Sequence, residues 1–257
     1  ATTSKFWYAN MHESLKKRST TGPSSHRHSA KTFHTLGDSH CLYGWPPYAV
    51  PHWFKGLCCY NVARVHLEAL EPPVRAGDAV CFCLGEIDCR AHVHKHCSDY
   101  EGYQEIIDRI VERYFNHLTQ VAVDIQVFIY NVIPPSRYDR FFECLGGAQP
   151  ATQDRGGVWS YQGTDQERLS YVRYFNARLQ EECGRFGYSF FDIYDHYADP
   201  EGFLDIKYCY DHLHICDGVF IEALMEEHGP WDTSTDLANA ARCSMALDRS
   251  AEAEKML

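Results

Sequence analysis

Long apolar runs and positive charge are both scarce in this sequence. No run reaches the roughly 18 consecutive apolar residues of a membrane span, so we expect no segment that crosses a bilayer. The 24 Lys and Arg residues are outnumbered by 35 Asp and Glu, which gives a net charge of −11. Surfaces that bind nucleic acids or anionic membranes depend on clustered basic side chains. The composition argues against both partners, and the short basic stretch at 16–31 is interpreted as a solvated tail.

Repeated Cys-x-x-Cys pairs are also lacking, although the chain has 12 cysteines. Such pairs are typical of structural zinc sites, so a zinc-ribbon protein is not expected. Cys81 and Cys83 alternate within an apolar run, and Cys58 and Cys59 are adjacent. This pattern suits buried free thiols better than a disulfide framework. No secretory leader is recognisable, and we expect reduced thiols and a cytoplasmic location.

The overall composition is typical of a folded globular protein, with 45% apolar and 23% charged residues. Residues 1–30 are polar and are expected to form an N-terminal extension. Residues 31–230 are numerous enough to bury one hydrophobic core without metal or disulfide crosslinks, and they are expected to form one domain. Residues 231–257 include an Ala-rich stretch and are expected to form a C-terminal tail or helix.

Strand and helix patterns alternate along the predicted domain. The strands are predicted at 32–36, 79–84, 125–132 and 188–193, and the helices at 60–70, 98–118, 164–184 and 219–227. The helices at 98 and 164 both begin with a capping-box pattern, Ser-x-x-Glu or Thr-x-x-Glu. The Pro- and Trp-rich segment 42–56 is predicted to be a long loop. The alternation predicts a three-layer α/β/α sandwich with a mainly parallel sheet.

Reactive side chains are concentrated in three segments beside the predicted strands and the last helix. These segments are Gly37 to Ser39, Gly85 to Arg90, and Asp211 to His214. Ligands of open α/β sheets bind beyond the carboxyl ends of the strands. A serine in a tight turn can expose its hydroxyl, a distant histidine can take the proton, and an aspartate can fix the imidazole tautomer. Ser39, Asp211 and His214 are therefore the candidate catalytic triad.

The outer two of these segments resemble motifs of the SGNH, or GDSL-like, hydrolase superfamily. The first block of that superfamily is Gly-Asp-Ser, which this chain has at 37–39. Its last block is Asp-x-x-His followed by a glycine, which this chain has at Asp211, His214 and Gly218. The resemblance extends over roughly 31–228, the length of one domain.

The middle blocks match less fully. The third block is Gly-x-Asn-Asp, and Gly85 and Asp88 match it while Ile87 stands at the Asn position. The second block is a lone glycine, for which Gly56 is the best candidate and Gly44 the second. Gly56, Gly85 and Asp88 are expected to line the oxyanion and substrate-binding region, with Asp88 as a hydrogen-bond acceptor between loops.

The resemblance implies a five-stranded parallel sheet flanked by helices, and a serine esterase that works through an acyl-enzyme. Ser39 would be the nucleophile, His214 the general base, and Asp211 the residue that orients the histidine. The backbone N–H groups of Ser39 and Gly56 would help to form the oxyanion hole. The substrate would be a small acyl ester, such as an acylated carbohydrate, and no metal or cofactor would be needed.

The substitution by Ile87 removes a side chain that could donate to the oxyanion, so a replacement donor is expected nearby. Arg90 is the strongest donor in the same loop, with a fixed charge and five N–H groups. The alternative is that Arg90 pairs with Asp38 or Glu86 and only braces the loop.

Other functions remain open at this stage. The same triad would serve an O-acyltransferase in which a sugar hydroxyl replaces water, and the fold could be a binding module without catalysis. A metal-binding protein is a third alternative, because His92, His94 and His96 alternate and would point the same way on an extended segment. Ser39 could also be only a helix cap.

Overall fold

The computed structural model describes residues 31–97, 102–121, 124–137, 161–209 and 213–234. The predicted N-terminal extension and most of the predicted C-terminal tail lie outside these ranges, so both stay predictions.

Five parallel strands form one sheet in the order β2-β1-β3-β4-β5. The strands are β1 (Phe33–Gly37), β2 (Val50–Trp53), β3 (Ala79–Cys83), β4 (Gln126–Tyr130) and β5 (Ser189–Phe191). The long helices are α1 (Tyr103–Val121), α2 (Asp165–Phe186) and α3 (Val219–His228). The strand number and the parallel arrangement are those implied by the sequence resemblance.

The side chains of β3 alternate between two apolar clusters, as strand geometry requires. Val80 and Phe82 join the cluster that α1 and α2 complete. Cys81 and Cys83 point the other way and join a cluster that includes Met225 of α3. Helices therefore cover both faces of the sheet, and the predicted α/β/α sandwich is confirmed.

The prediction that 42–56 is a loop is wrong for its last part, which contains β2. Pro51 lies inside this strand, opposite Thr35 of β1. Proline cannot donate to a ladder and is tolerated in edge strands. Among the described residues β2 pairs only with β1, so its edge position explains how a segment with the signals of a loop forms a strand.

The predicted helix at 60–70 is also wrong, because two short 3-10 turns, Cys59–Arg64 and Leu67–Ala69, replace it. Val65 lies between them in extended conformation, with φ −95° and ψ 131°. A spacing of three brings side chains to one face in a 3-10 helix as well as in an α-helix. The buried pair Val62 and Val65 therefore could not distinguish the two.

The predicted start of α2 is confirmed in detail. The hydroxyl of Thr164 accepts a hydrogen bond from the backbone N–H of Glu167 at 3.2 Å, and the Glu167 carboxylate accepts one from the Thr164 N–H at 2.7 Å. The two bonds form a reciprocal capping box. The similar pattern at 98–101 lies outside the described residues.

The thiols of the described cysteines agree with the expectation of a reduced chain. Every cysteine in the described ranges is free, and most are buried. The same ranges contain no helix with the length and apolarity that a membrane crossing requires.

A buried chain of ionisable groups links β1 to its two neighbours in the sheet. His34 Nδ1 lies 2.9 Å from His52 Nε2, and His34 Nε2 lies 3.5 Å from a carboxylate oxygen of Asp78. Burial lowers the pKa of His34 below its ordinary value of about 6.5, although the Asp78 carboxylate acts in the opposite direction. His34 is therefore neutral in the folded protein at neutral pH.

The lowered pKa of His34 predicts an acid-sensitive fold. At acidic pH the unfolded chain binds a proton at His34, whereas the folded chain does not. The contribution of His34 to the free energy of unfolding is therefore complete above pH 6.5 and is lost as the pH falls toward the folded pKa. One such group changes the free energy of unfolding by at most about 1.4 kcal/mol per pH unit. In urea titrations across pH 5 to 8, His34→Gln should have a shallower slope than the wild type. His66→Gln, at an exposed site, should keep the wild-type slope; equal slopes for all three proteins would contradict this role of His34.

Candidate active site

The candidate nucleophile lies in a tight turn directly after β1. A Cβ atom on Gly37 would be only 2.0 Å from the carbonyl oxygen of Cys83 in β3, so only glycine allows the two strands to come this close. The Asp38 carboxylate caps the following 3-10 turn, Ser39–Cys41, by accepting a hydrogen bond from the His40 N–H at 2.9 Å. The cap is therefore Asp38, which leaves the half-buried Ser39 hydroxyl available for another bond.

The Ser39 hydroxyl is hydrogen-bonded to a histidine that lies far from it in the sequence. Its Oγ lies 2.6 Å from His214 Nε2, although 175 positions separate the two residues. The ring of Tyr43 stacks on the His214 imidazole with centroids 4.3 Å apart, and the ring of His40 lies 5.1 Å away. Two rings therefore pack against the His214 imidazole. The contact between its Nε2 and the Ser39 hydroxyl has the geometry of a nucleophile and its general base.

The loop that carries His214 is held against the loop after Ser39 by a close backbone contact. A Cβ on Gly218 would lie 1.7 Å from the carbonyl oxygen of Gly44, so the two loops touch at a position where only glycine fits. Asp217 supports the start of α3 by accepting a hydrogen bond from the Val219 N–H at 3.3 Å. Asp211 lies outside the described residues, so its role in orienting His214 stays a prediction.

Asp88 ties the loop after β3 to the loop that contains Gly56. Its carboxylate is fully buried and accepts hydrogen bonds from the N–H groups of Cys59 at 2.8 Å and Tyr60 at 3.5 Å. Burial raises the pKa of Asp88 to about 6, although these backbone bonds favour the charged form. Gly56 has a positive φ of 67°, and the space where a Cβ would stand is open.

The start of the block after β3 is closely packed and apolar. Gly85 has a φ of 109°, and a Cβ there would lie 2.6 Å from a methyl group of Val132. Ile87, at the Asn position of the sequence motif, is 3% exposed. Neither residue has a side-chain donor, so Gly85 contributes shape to this region and Ile87 contributes packing.

Arg90 forms a forked ion pair with Glu86. Its Nε lies 2.5 Å from one carboxylate oxygen and its Nη2 lies 3.1 Å from the other. The guanidinium is also 5.4 Å from the ring centroid of Tyr161. Burial opposes the charges of both groups, but their attraction prevails, raising the pKa of Arg90 and lowering that of Glu86. These contacts are those of the loop-bracing alternative; donation by Arg90 to an oxyanion stays a prediction.

The histidine cluster is not extended, so the geometric reason for a metal site there is wrong. A π-helical turn, Asp88–His92, is followed directly by a short α-helix, Val93–His96. Side chains two positions apart on a helix are separated by about 200° around its axis. The side chain of His94 therefore points away from those of His92 and His96, and the three do not converge. His94 instead lies 3.0 Å from the Tyr171 hydroxyl.

Sequence reasoning did not place two ionisable residues, His40 and Glu86, beside the nucleophile. In the part of the chain that the structure describes, the ligand-type atoms of these two residues and Asp38 lie within 4.8 Å of one another. His40 Nδ1 lies 2.8 Å from Asp38 Oδ1. The available signal was position, because His40 directly follows Ser39 and Glu86 directly follows Gly85.

Comparisons with solved structures place this architecture among known folds. A GDSL-like lipase from Bacteroides thetaiotaomicron VPI-5482 is 12% identical over 85% of this chain and 95% of its own, with a TM-score of 0.52. A candidate acylhydrolase from Bacteroides fragilis NCTC 9343 is 14% identical over 86% of this chain and 96% of its own, with a TM-score of 0.52. By sequence, no family model and no curated protein matches the chain. The chain therefore has an SGNH/GDSL-like hydrolase fold.

The contact between Gly218 and Gly44 predicts a large difference between two glycine substitutions. Gly218→Ala should lower the free energy of unfolding by about 1–3 kcal/mol, because the new methyl group meets rigid backbone. Gly184→Ala is the matched control, since open space surrounds that position inside α2, and it should stabilise the helix by about 0.5–1 kcal/mol. Urea denaturation of both variants measures the difference. A Gly218→Ala protein as stable as Gly184→Ala would show that the two loops are not held by this contact.

Proposed function

We propose that this protein is a serine esterase that hydrolyses small acyl esters, with an acylated carbohydrate as one substrate class. The observation that carries the proposal is the 2.6 Å contact between Ser39 Oγ and His214 Nε2. A hydroxyl held by an imidazole at this distance is the arrangement of an activated nucleophile. The similarity in fold to a GDSL-like lipase agrees with this chemistry.

The proposed mechanism has two halves that use the same pair of residues. His214 accepts the hydroxyl proton as Ser39 Oγ attacks the ester carbonyl, and it then gives that proton to the departing alcohol. Water, deprotonated by His214, then attacks the acyl-enzyme; the acyl–Oγ bond breaks, the acid leaves, and His214 returns the proton to Ser39 Oγ. Asp211 is proposed to bond the other nitrogen of the imidazole and to fix its tautomer.

The oxyanion of each tetrahedral intermediate needs donors fixed in advance. We assign the backbone N–H groups of Ser39 and Gly56 to this role. Asp88 supports it indirectly, because it binds the N–H groups of the loop that follows Gly56.

The surroundings of Ser39 favour a short acyl group. Asp38, His40, Glu86 and Arg90 place four ionisable side chains close to the nucleophile. Polar groups of this kind offer a long alkyl chain little apolar surface to pack against. An acetyl or similarly small group needs less of it.

The esterase proposal predicts selective covalent labelling of Ser39. A fluorophosphonate probe should form an adduct on Ser39, located by peptide mass mapping, and p-nitrophenyl acetate should be hydrolysed faster than longer esters. Ser39→Ala should abolish both, and His214→Ala should lower turnover by about 10²–10⁴-fold. Ser170→Ala, which removes an exposed serine on α2, is the control and should change nothing. Labelling at another serine, or none, would overturn the proposal.

Turnover should survive exhaustive treatment with EDTA. The proposed steps use no Lewis acid, because Ser39 and His214 supply the nucleophile and the proton transfers, and Asp38 and Glu86 pair with His40 and Arg90. Hydrolysis of p-nitrophenyl acetate before and after chelation measures this. Loss of activity with EDTA and recovery with Zn²⁺ would show instead that a metal ion takes part.

A further inference from the structure

The proposed oxyanion hole lacks the side-chain donor that the superfamily motif supplies from its third block. Ile87 occupies that position, is buried, and has no polar atom in its side chain. Loss of one such donor typically lowers kcat by about 10²–10³-fold. An active enzyme with this sequence therefore needs a donor from another residue near Ser39.

His40 lies next to the nucleophile in the chain and has a ring nitrogen without a hydrogen-bond partner among the described residues. It follows Ser39 in the same 3-10 turn, and its ring lies 5.1 Å from the ring of His214. Its Nδ1 is held 2.8 Å from Asp38 Oδ1, which leaves Nε2 at the other side of the ring. Nε2 is buried and has no hydrogen-bond partner among the described residues, and the whole residue is 6% exposed.

We propose that His40, in its protonated form, donates its Nε2–H to the oxyanion that forms when Ser39 attacks an ester, in place of the missing Asn. This inference rests on the proposed esterase function. It assigns a catalytic role to a residue outside the Ser, Asp and His of the triad.

The charges around His40 support a protonated ring. Burial disfavours the cation, but the Asp38 and Glu86 carboxylates outweigh burial and raise the pKa of His40, with Arg90 acting weakly in the opposite direction. A neutral ring that donates from Nδ1 to Asp38 would have a bare acceptor at Nε2. Only the cation can donate to Asp38 and to an oxyanion at the same time.

The Nε2–H of His40, which has no acceptor in the described parts of the resting enzyme, can bind the transition state more strongly than the ground state. A buried N–H without an acceptor is unfavourable in the resting enzyme. The negative charge that develops on the substrate oxygen supplies the acceptor only in the transition state. An interaction that is stronger there than in the ground state accelerates the chemical step.

Arg90 has a different place in this arrangement. Its Nε and Nη2 are bound to Glu86, and Glu86 is one of the two carboxylates that favour the His40 cation. Arg90 is therefore a positioning residue that fixes Glu86.

Two substitutions of His40 separate donation from packing. His40→Phe keeps a ring but has no N–H, and it should lower kcat for p-nitrophenyl acetate by at least about 10²-fold with little change in KM. His40→Gln keeps an amide donor and should recover a substantial part of that loss. Circular dichroism should show both variants folded at the assay temperature, with His40→Phe melting lower because it leaves the buried Asp38 carboxylate without its partner. His66→Gln is the control for a histidine far from these contacts, and it should keep wild-type kcat.

The pH profile provides a readout that a purely structural role would not move. The ionisable groups that face His40 are Asp38, Glu86, Arg90 and His214. Protonation of His214 removes the general base and gives an acidic limb in every variant. Deprotonation of His40 should give the wild type an alkaline limb as well, and His40→Gln should lack it because an amide does not titrate.

The outcomes separate this inference from the esterase proposal. Wild-type protein with neither ester turnover nor labelling of Ser39 would overturn both. If Ser39→Ala abolished turnover and His40→Phe left it intact, only the role of His40 would be overturned. Its role would also be overturned if His40→Phe and His40→Gln lost kcat equally and the alkaline limb did not change. If Arg90→Ala lowered kcat with an unchanged melting curve, and His40→Phe kept the wild-type kcat, the donor would be Arg90. If His40→Phe does not fold, the profile of His40→Gln decides.

Discussion

The close approach of Gly218 to the carbonyl oxygen of Gly44 sets the position of the candidate active site. It joins the loop that ends at α3 to the loop after the nucleophile, far apart in sequence. His214 lies four residues before Gly218, and Tyr43, one residue before Gly44, stacks on its ring. The bond between His214 and Ser39 depends on this contact, because a wider separation of the two loops would remove the imidazole from the reach of the hydroxyl.

Electrostatic balance is the second constraint on the site. Asp38, His40, Glu86 and Arg90 are largely buried, and Asp38 pairs with His40 while Glu86 pairs with Arg90. Burying any one of these charges without its partner would be strongly unfavourable. The pairs therefore support each other: Asp38 both caps the nucleophile turn and holds His40, while Arg90 keeps Glu86 charged beside it. The loop after β3 and the turn after β1 are coupled by charge as well as by their packing.

Sequence reasoning recovered the features whose signals are local or that belong to a known motif. The capping box at Thr164, the buried runs of β3 and β4, and the candidate pair Ser39 and His214 are of this kind. It failed where geometry decides. The edge position that lets Pro51 lie in a strand is a tertiary fact, and so is the helical path that separates His92 from His94. The partners of His40 were invisible for the same reason, since only folding brings Glu86 to the turn after β1.

The replacement of an amide donor by an imidazole would change more than the identity of one residue. An Asn side chain donates at any pH without help, whereas an imidazole bonded to Asp38 can donate from its second nitrogen only as a cation. Burial opposes that cation, so the site needs carboxylates around it, and Glu86 in turn needs Arg90 to stay ionised when buried. With Ile87 in the motif position, His40, Glu86 and Arg90 form one physical unit. Under the proposal, Glu86 and Arg90, which stand before and after Ile87 in the sequence, act on His40 rather than on the substrate.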